Sequence, residues 1–119
     1  MPQITVDYSD SLSRTFDRRG FALALHPLTA GIIDTDIETC KTRFRRVDEA
    51  FVADGAPGHA VIHVELAILP GRTGAMKAEL SEAVLELVRR HAAFENGVTV
   101  HASVDVTELG DAYRKHTAG

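Results

Sequence analysis

Four residues carry groups suited to moving a proton in an anionic substrate or to binding that substrate: Pro2, Lys41, Arg43 and Arg72. Pro2 directly follows Met1, and removal of that methionine would leave a secondary amine at the end of the chain. A terminal amine titrates several units below a lysine side chain, and a partly apolar pocket with neighbouring cations lowers its pKa further. Pro2 would then be suited to take up a proton and return it near neutral pH.

The cationic residues would supply the charge that such a substrate needs. Arg72 lies where a predicted strand passes into a predicted helix, and a guanidinium beside unpaired helix N–H groups binds a carboxylate or an enolate. Lys41, Arg43 and Arg45 alternate along one strand, so they share a face and either bind an anion or form ion pairs at a subunit interface. Plainer explanations exist, since Pro2 can simply begin an edge strand and Arg72 can be a solvated surface residue.

Strands and helices alternate along the chain and must position these residues. Alternating apolar and polar residues predict strands over residues 3–8, 40–52, 59–68 and 98–106. Asn96-Gly97 is expected to form the turn before the last strand.

Two helices are predicted between these strands. The first follows N-cap candidates at residues 9–11, and Gly20 and Pro27 leave its ends open because both disfavour a helix interior. Its expected buried positions are Phe16, Leu23 and Leu25. The second helix spans about residues 73–94, and Glu86 and Arg90 pair on its polar side. Its apolar stripe consists of Met76, Leu80, Ala83, Val84, Leu87 and Val88.

The order of elements is strand–helix–strand, twice. It predicts an α+β fold of the two-layer α/β kind, in which two β-α-β units form a four-stranded sheet with both helices on one face. Within each half the strands are expected to be parallel, with a right-handed connection. A single domain is expected over residues 1–119, with halves at about 2–54 and 58–109. The other sheet face carries His63, Glu65, Thr99 and His101 among small or apolar neighbours, so oligomerisation is expected to bury it.

Composition limits the classes of function. The chain has 119 residues, the size of one domain, and 13 Lys and Arg against 17 Asp and Glu give a net charge of −4. That charge excludes a basic nucleic-acid footprint over the whole surface. No apolar run could span a bilayer, and the N-terminus lacks the basic and apolar regions of a signal peptide, so a cytoplasmic protein without membrane or nucleic-acid partners is expected.

Metal and thiol chemistry have weak support. His63, Glu65 and His101 are possible ligand types, but their spacing matches no recognised metal motif. Cys40, the only cysteine, excludes an internal disulfide and a cysteine cluster, and no sequence motif pairs it with a histidine. Neither a metal nor another cofactor is expected.

Three segments carry a resemblance to a known family. MPQITVDYSDSL, then CKTRFRRVDEAFVADG, then HVELAILPGR, resemble with almost the same spacing the 5-carboxymethyl-2-hydroxymuconate isomerases, a branch of the tautomerase superfamily. The resemblance covers nearly the whole chain apart from the last ten or so residues. Its most specific parts are Pro2, Val47-Asp48 with Ala53-Asp54-Gly55, and Gly71-Arg72. It implies a tautomerase-like trimer of double β-α-β units that uses the N-terminal proline as a base.

The two halves look like degenerate copies that share one site. Small tautomerases such as 4-oxalocrotonate tautomerase look like a single unit, with proline at the start of the strand and arginine just before the helix. Here the first half has Pro2 but Leu12 in the place of the arginine, whereas the second half has Arg72 but Ile62 in the place of the proline. A hexamer of single units would thus become a trimer of double ones.

The resemblance implies a cofactor-free isomerase that moves a proton in an unsaturated oxo or hydroxy polycarboxylate. It points to 5-carboxymethyl-2-hydroxymuconate, an intermediate of homoprotocatechuate breakdown. Pro2 and Arg72 would be catalytic, and Lys41, Arg43 and Arg72 would bind the dicarboxylate or tricarboxylate substrate.

Two departures from the family leave the exact substrate open. Lys41 stands where the family arginine is expected, with Arg43 two residues on, and Arg46 replaces an expected aromatic residue. Two alternatives also stay open: a hydratase-like or dehalogenase-like enzyme in which Pro2 activates water, and a non-catalytic trimer that binds an anionic metabolite. If Met1 is retained, Pro2 has an amide nitrogen and cannot act as a base.

Overall fold

The computed structural model describes residues 1–93 and 97–119. Its strands are β1 (Gln3–Ser9), β2 (Lys41–Val47), β3 (His59–Ile68) and β4 (Thr99–Glu108), and its helices are α1 (Arg18–Ile33) and α2 (Gly74–His91). Short 3-10 turns follow β1 at Asp10–Leu12 and precede β2 at Ile37–Thr39. No helix in these two stretches is both long enough and apolar enough to cross a membrane.

The strands form one sheet in the order β2-β1-β3-β4. β1 is parallel to β2 and β3 is parallel to β4, whereas β1 and β3, which join the two halves, are antiparallel. Parallel neighbours require a crossover, and α1 and α2 supply one in each half. The predicted fold class, with two β-α-β units in a four-stranded sheet, is therefore confirmed.

The core lies between the helices and one face of the sheet. Alternate residues of β1 and β3 are almost fully buried, as a strand of period two requires. Buried residues on α1 repeat every four positions, and those of α2 follow the predicted stripe. The main buried side chains are Ile4, Val6, Phe21, Leu25, Ile33, Ile62, Val64, Leu66, Ile68, Leu80, Val84, Leu87 and Val88.

The first helix differs from its prediction at its N-cap and at Leu23, and it includes Pro27, where the sequence had left the helix end open. It begins after Asp17, whose carboxylate accepts from the Gly20 N–H at 3.0 Å, so residues 9–11 do not cap it. Pro27 lies inside the helix, and the carbonyl that its missing N–H would have bonded belongs to Leu23. Leu23 is 60% exposed rather than buried, because it lies on the face opposite the buried row, where water can reach that carbonyl.

The predicted second strand was too long. β2 ends at Val47, and the chain then turns away through Ala53 and Gly55, which have φ of 53° and 84°. Phe51, expected to contribute apolar contacts, is 83% exposed for this reason. Charged residues directly after Val47 and the turn-forming Asp54-Gly55 pair favour a loop over a strand.

The second helix is shorter than predicted at its C-terminal end. It stops at His91, because Ala92 has the extended backbone angles φ −101° and ψ 105°. Its last turn carries Arg89, Arg90 and His91, and positive charge is favourable at that end of a helix. The predicted helix end at Phe94 and the Asn96 position of the predicted turn lie outside the described residues.

The sheet face away from the helices, here called the open face, is more polar than expected. Arg45 forms an ion pair with Asp7, with Nε and Oδ1 2.7 Å apart. His63 Nδ1 lies 2.6 Å from Ser103 Oγ, and a further hydrogen bond joins two imidazole nitrogens, His59 Nδ1 and His101 Nε2, which are 3.0 Å apart. Within the described residues, no group of three or more His, Cys, Asp or Glu side chains is arranged to hold a metal ion.

Candidate active site

The sheet topology brings candidate residues from both halves to one edge. β1 and β2 are parallel with Gln3 opposite Lys41, so their starts adjoin, and the Lys41 N–H donates to the Pro2 carbonyl at 3.3 Å. β3 is antiparallel to β1 with Ala67 opposite Gln3, so the end of β3 lies beside the start of β1. Arg72 follows that end by four residues. Pro2 therefore lies between Lys41 of one half and Arg72 of the other.

Pro2 is buried, and the terminal amine beside it lies in a cationic environment. The pKa of the Met1 α-amino group is lowered from its ordinary value by burial first, then by Arg72, Lys115 and Lys41. Burial and positive neighbours both disfavour a charged ammonium. A terminal amine at this edge is thus biased toward the neutral form that can accept a proton.

Cys40 also influences the pKa of the Met1 amine, in the opposite direction from the cations. A thiolate there would raise the pKa of the amine. Burial raises the pKa of Cys40 itself, however, and its Sγ points at the His26 carbonyl oxygen 3.8 Å away. Cys40 is consequently a neutral thiol at pH 7, and the cations determine the charge environment of the amine.

Arg72 donates hydrogen bonds to backbone carbonyls, which the sequence did not predict. Its Nε and Nη2 donate to the Ile33 carbonyl at 3.2 and 3.0 Å, and its Nη1 donates to the Leu69 carbonyl at 3.3 Å. Ile33 is the last residue of α1, where carbonyls lack helical partners and positive charge is favourable. The guanidinium therefore caps the C-terminal end of α1, while Thr73 caps the N-terminal end of α2.

These contacts hold the guanidinium in place and leave some of its hydrogen-bond donors unused. A guanidinium has five N–H donors, and three hydrogen bonds leave two for an anion. Because two separate carbonyls hold it, the group cannot rotate away from the Pro2 edge without losing hydrogen bonds. Arg72 thus combines a structural role with a suitable position for binding an oxyanion.

The three cations of β2 share the open face, as predicted, but they have different partners. Arg45 is paired through two hydrogen bonds with Asp7, and this contact lowers the pKa of that carboxyl group. Arg43 Nη2 donates to the neutral Gln3 Oε1 at 2.9 Å, and Lys41 Nζ donates to the Thr39 carbonyl at 3.1 Å. Among the residues that the structure describes, Lys41 and Arg43 thus have neutral partners only, whereas the charge of Arg45 is offset by Asp7.

The C-terminal residues also reach this edge, which spacing alone did not indicate. The Leu109 N–H donates to the Ile68 carbonyl at 2.7 Å, and Gln3 Nε2 donates to the Tyr113 hydroxyl at 3.1 Å. Lys115 lies close enough to the terminal amine to lower its pKa. The available signal in the sequence was an aromatic residue followed by two cations in an otherwise small and polar tail.

A family model described as 5-carboxymethyl-2-hydroxymuconate isomerase matches residues 2–118. The chain belongs to this family. The predicted membership in the tautomerase superfamily is confirmed, and the match also takes in the C-terminal residues that the resemblance in the sequence did not reach. The chain is accordingly an enzyme, an isomerase.

Individual relatives agree with this family. The Escherichia coli 5-carboxymethyl-2-hydroxymuconate Delta-isomerase is 27% identical over 110 residues, which are 92% of this chain and 87% of that protein. The crystal structure of a 5-carboxymethyl-2-hydroxymuconate isomerase from Deinococcus radiodurans R1 has a TM-score of 0.84 at 23% identity, over 99% of this chain and 90% of that one. A fused 4-OT wild type symmetric trimer has a TM-score of 0.68 at 18% identity, over 92% of this chain and 91% of that one.

Two grooves of the isomerase lie away from the Pro2 edge. One groove lies at the start of α1, between Phe16, Leu23 and Phe44, and another lies between the end of α2 and β4. Pro2, Lys41 and Arg72 line neither groove, so neither belongs to the candidate site.

Proposed function

We propose that this isomerase moves a proton within an unsaturated oxo or hydroxy polycarboxylate such as 5-carboxymethyl-2-hydroxymuconate, with Pro2 as the base. The observation that carries the proposal is the position of buried Pro2 between Lys41 and Arg72, whose charges also lower the pKa of the Met1 amine next to it. The name of the Escherichia coli relative supports the same substrate. Removal of Met1 is part of the proposal, because Pro2 needs a free amine to act.

The proposed reaction needs no oxidant and no leaving group. The neutral Pro2 amine takes the hydroxyl proton from a dienol such as 5-carboxymethyl-2-hydroxymuconate, or a C–H proton next to the carbonyl from an oxo form, and either step leaves a dienolate. The protonated amine then delivers the proton to another carbon of the conjugated system, which leaves a carbonyl at the oxygen and a neutral amine. Pro2 is base in the first half and acid in the second.

The cations have two roles in this proposal. The two remaining N–H groups of Arg72 face negative charge as it develops on the carbonyl oxygen, and such preorganised donors stabilise the transition state. Lys41 and Arg43 hold substrate carboxylates, because no acidic residue in the described part of the chain forms an ion pair with either of them. A chain with net charge −4 must concentrate cations where a polyanion is to bind.

We further propose that three copies assemble and complete the site. The edge of the sheet at β2 carries Lys41, Arg43 and Arg45 on the open face, whereas Glu65 of β3 lies directly opposite Asp105 of β4. Like charges placed side by side are unfavourable unless a cation offsets them, and a neighbouring copy could supply one. The similar fused 4-OT protein is itself a symmetric trimer.

The proposal places one site in one domain. The two halves, about 2–54 and 58–109, each contribute residues to the Pro2 edge, in agreement with duplicated units that share a site.

The proposed setting is the breakdown of homoprotocatechuate in the cytoplasm.

Turnover and intact mass measured on the same preparation test this function. The protein from its native host should lack Met1 by mass, and it should convert 5-carboxymethyl-2-hydroxymuconate, monitored through loss of the dienol absorbance. Turnover by protein that fully retains Met1 would overturn the role of Pro2. Binding without turnover would favour a non-catalytic trimer that binds an anionic metabolite. Hydration or dehalogenation of acrylate substrates would favour a hydratase-like or dehalogenase-like enzyme.

A further inference from the structure

The C-terminal tail folds back over the candidate site. The Leu109 N–H continues the β3–β4 pairing at the Ile68 carbonyl, and a turn joins the Tyr113 N–H to the Gly110 carbonyl at 3.0 Å. Tyr113 is partly buried although the residues on both sides of it are exposed. This residue therefore holds the tail to the body of the chain.

A short chain of hydrogen bonds connects the tail to the substrate-binding candidates. Arg43 Nη2 donates to Gln3 Oε1, and Gln3 Nε2 donates to the Tyr113 hydroxyl. Because one end of the Gln3 amide accepts from a cation, the other end must donate, so the Tyr113 oxygen is an acceptor. The hydroxyl hydrogen is then directed elsewhere, toward water or a bound anion.

Lys115 lies two residues beyond Tyr113, which is itself hydrogen-bonded to Gln3 at the start of β1, and the charge of Lys115 lowers the pKa of the Met1 amine. The neighbouring Arg114 is different, because its Nη1 donates to the Asp111 and Tyr113 carbonyls within the tail at 3.2 and 2.9 Å. Two adjacent cations thus have separate surroundings. The charge of Lys115 lowers the pKa of the terminal amine, whereas Arg114 stabilises the turn. The pair supplies a matched comparison.

We propose that Lys115 binds a carboxylate of the polycarboxylate substrate, and that Tyr113 is a positioning residue that holds the tail against Gln3. The proposal rests on the proposed function, which requires a substrate with several carboxylates. Lys41, Arg43 and Arg72 provide three cations at the edge of the sheet, and Lys115 adds a fourth from the tail. The tail thereby becomes part of the binding site, and its position determines how many carboxylates are held.

The first test compares Lys115→Gln with Arg114→Gln, since each removes one positive charge from neighbouring positions. We expect Lys115→Gln to raise KM for 5-carboxymethyl-2-hydroxymuconate about fivefold to tenfold, given the solvent exposure of the side chain, with kcat changed less. Arg114→Gln should change KM less than about twofold. Lys115→Arg should restore binding, and Tyr113→Phe should raise KM in the same direction as Lys115→Gln by releasing the tail.

The second readout does not depend on turnover. The rate of acetylation of the N-terminal amine by acetic anhydride, followed by peptide mass across a pH series, reports the fraction of neutral amine. Removing the Lys115 charge should move the midpoint of this curve to higher pH, whereas Arg114→Gln should leave it in place. Equal behaviour of the two variants in both measurements would overturn the inference. Absence of wild-type turnover would instead overturn the proposed function, and the acetylation curves would still decide the position of Lys115.

Discussion

The Lys41 N–H donates to the carbonyl oxygen of Pro2 across 3.3 Å, which joins the residue before β1 to the first residue of β2. This single contact follows from the parallel register that places Gln3 opposite Lys41. Because β3 runs the other way, the same edge also receives Arg72. One topological feature, two parallel pairs of strands joined by an antiparallel pairing, therefore brings the residues of the proposed site together from segments distant in sequence.

Replacement of the proline tests its role as the base. Pro2→Ala, after removal of Met1, leaves a primary amine that is more flexible and differs in basicity. We expect kcat to fall by at least about two orders of magnitude, the range for loss of a general base, while the fold is retained. Circular dichroism and steady-state kinetics check both parts. Pro57→Ala, in the exposed loop before β3, makes the same chemical change away from the site and should leave turnover intact.

The pH dependence of kcat/KM should report the lowered pKa of the terminal amine. Only the neutral amine accepts a proton, so activity should rise with pH, and the midpoint of this rise should lie below 8.0, the ordinary pKa of a terminal amine. Removing a neighbouring cation raises the pKa of the amine back toward its ordinary value, so Lys41→Gln should move the rising limb to higher pH. A limb at or above pH 8 in the wild type would show that the edge does not perturb the amine.

Replacement of Arg72 should affect stability as well as activity. Arg72→Ala removes three hydrogen bonds to carbonyls at the end of α1 and of β3. We expect a loss of about 1–2 kcal/mol in the free energy of unfolding, allowing for partial exposure, and a fall in kcat/KM of about one to two orders of magnitude. Urea denaturation and kinetics separate the two effects.

A second cationic variant distinguishes the structural role of Arg72 from its chemical one. Arg72→Lys keeps the charge but loses the forked geometry, so stability should recover more than turnover does. Arg89→Ala is the surface control, because its guanidinium pairs with Glu86 on the exposed side of α2 and should cost little. Full recovery of turnover by lysine would show that charge alone is sufficient.

Local periodicity predicted much of this fold, and long-range contacts account for the errors. The alternation of Gln3 and Ile4 placed one on the open face and the other in the core, because a strand has a fixed period of two. Leu23 was misassigned because Pro27 and Gly20 obscured the helical phase, although the repeat from Phe21 to Leu25 determines it. The pattern of a single segment is sufficient only when that segment is regular.

For the candidate site, too, the pattern of single segments was not sufficient to predict which residues contact each other. Spacing identified Arg72 beside a helix start, but its partner is Ile33, which lies 39 residues away in the other half. Tyr113 was missed because its contact with Gln3 joins the two ends of the chain, and no periodic signal spans that separation. The residues at the edge were recognisable by type, whereas their partners depended on the pairing of β1 with β3.

The oligomeric state can be tested through the acidic pair on the open face. Asp105→Lys would place a cation beside Glu65 in the same chain and remove the negative charge offered to the β2 edge of a neighbouring copy. We expect the wild type to be a trimer by light scattering at micromolar concentration, and the variant to dissociate more readily. Glu79→Lys, on the exposed face of α2, changes the net charge equally and should not affect assembly. A stable wild-type monomer would contradict the proposed trimer.

The three cations of β2 should differ in their effect on substrate binding. Lys41→Ala and Arg43→Ala each remove a charge that is not paired with a carboxylate of residues 1–93 or 97–119. Each should therefore raise KM for a substrate with three carboxylates by about tenfold or more, equivalent to a charge-assisted contact of about 1.5 kcal/mol. Arg45→Ala is the matched control, because that guanidinium already binds Asp7. An analogue without the carboxymethyl group should reduce the effect of whichever cation binds that group. If all three variants change KM equally little with both substrates, the cations of β2 belong to a subunit interface and not to the substrate site.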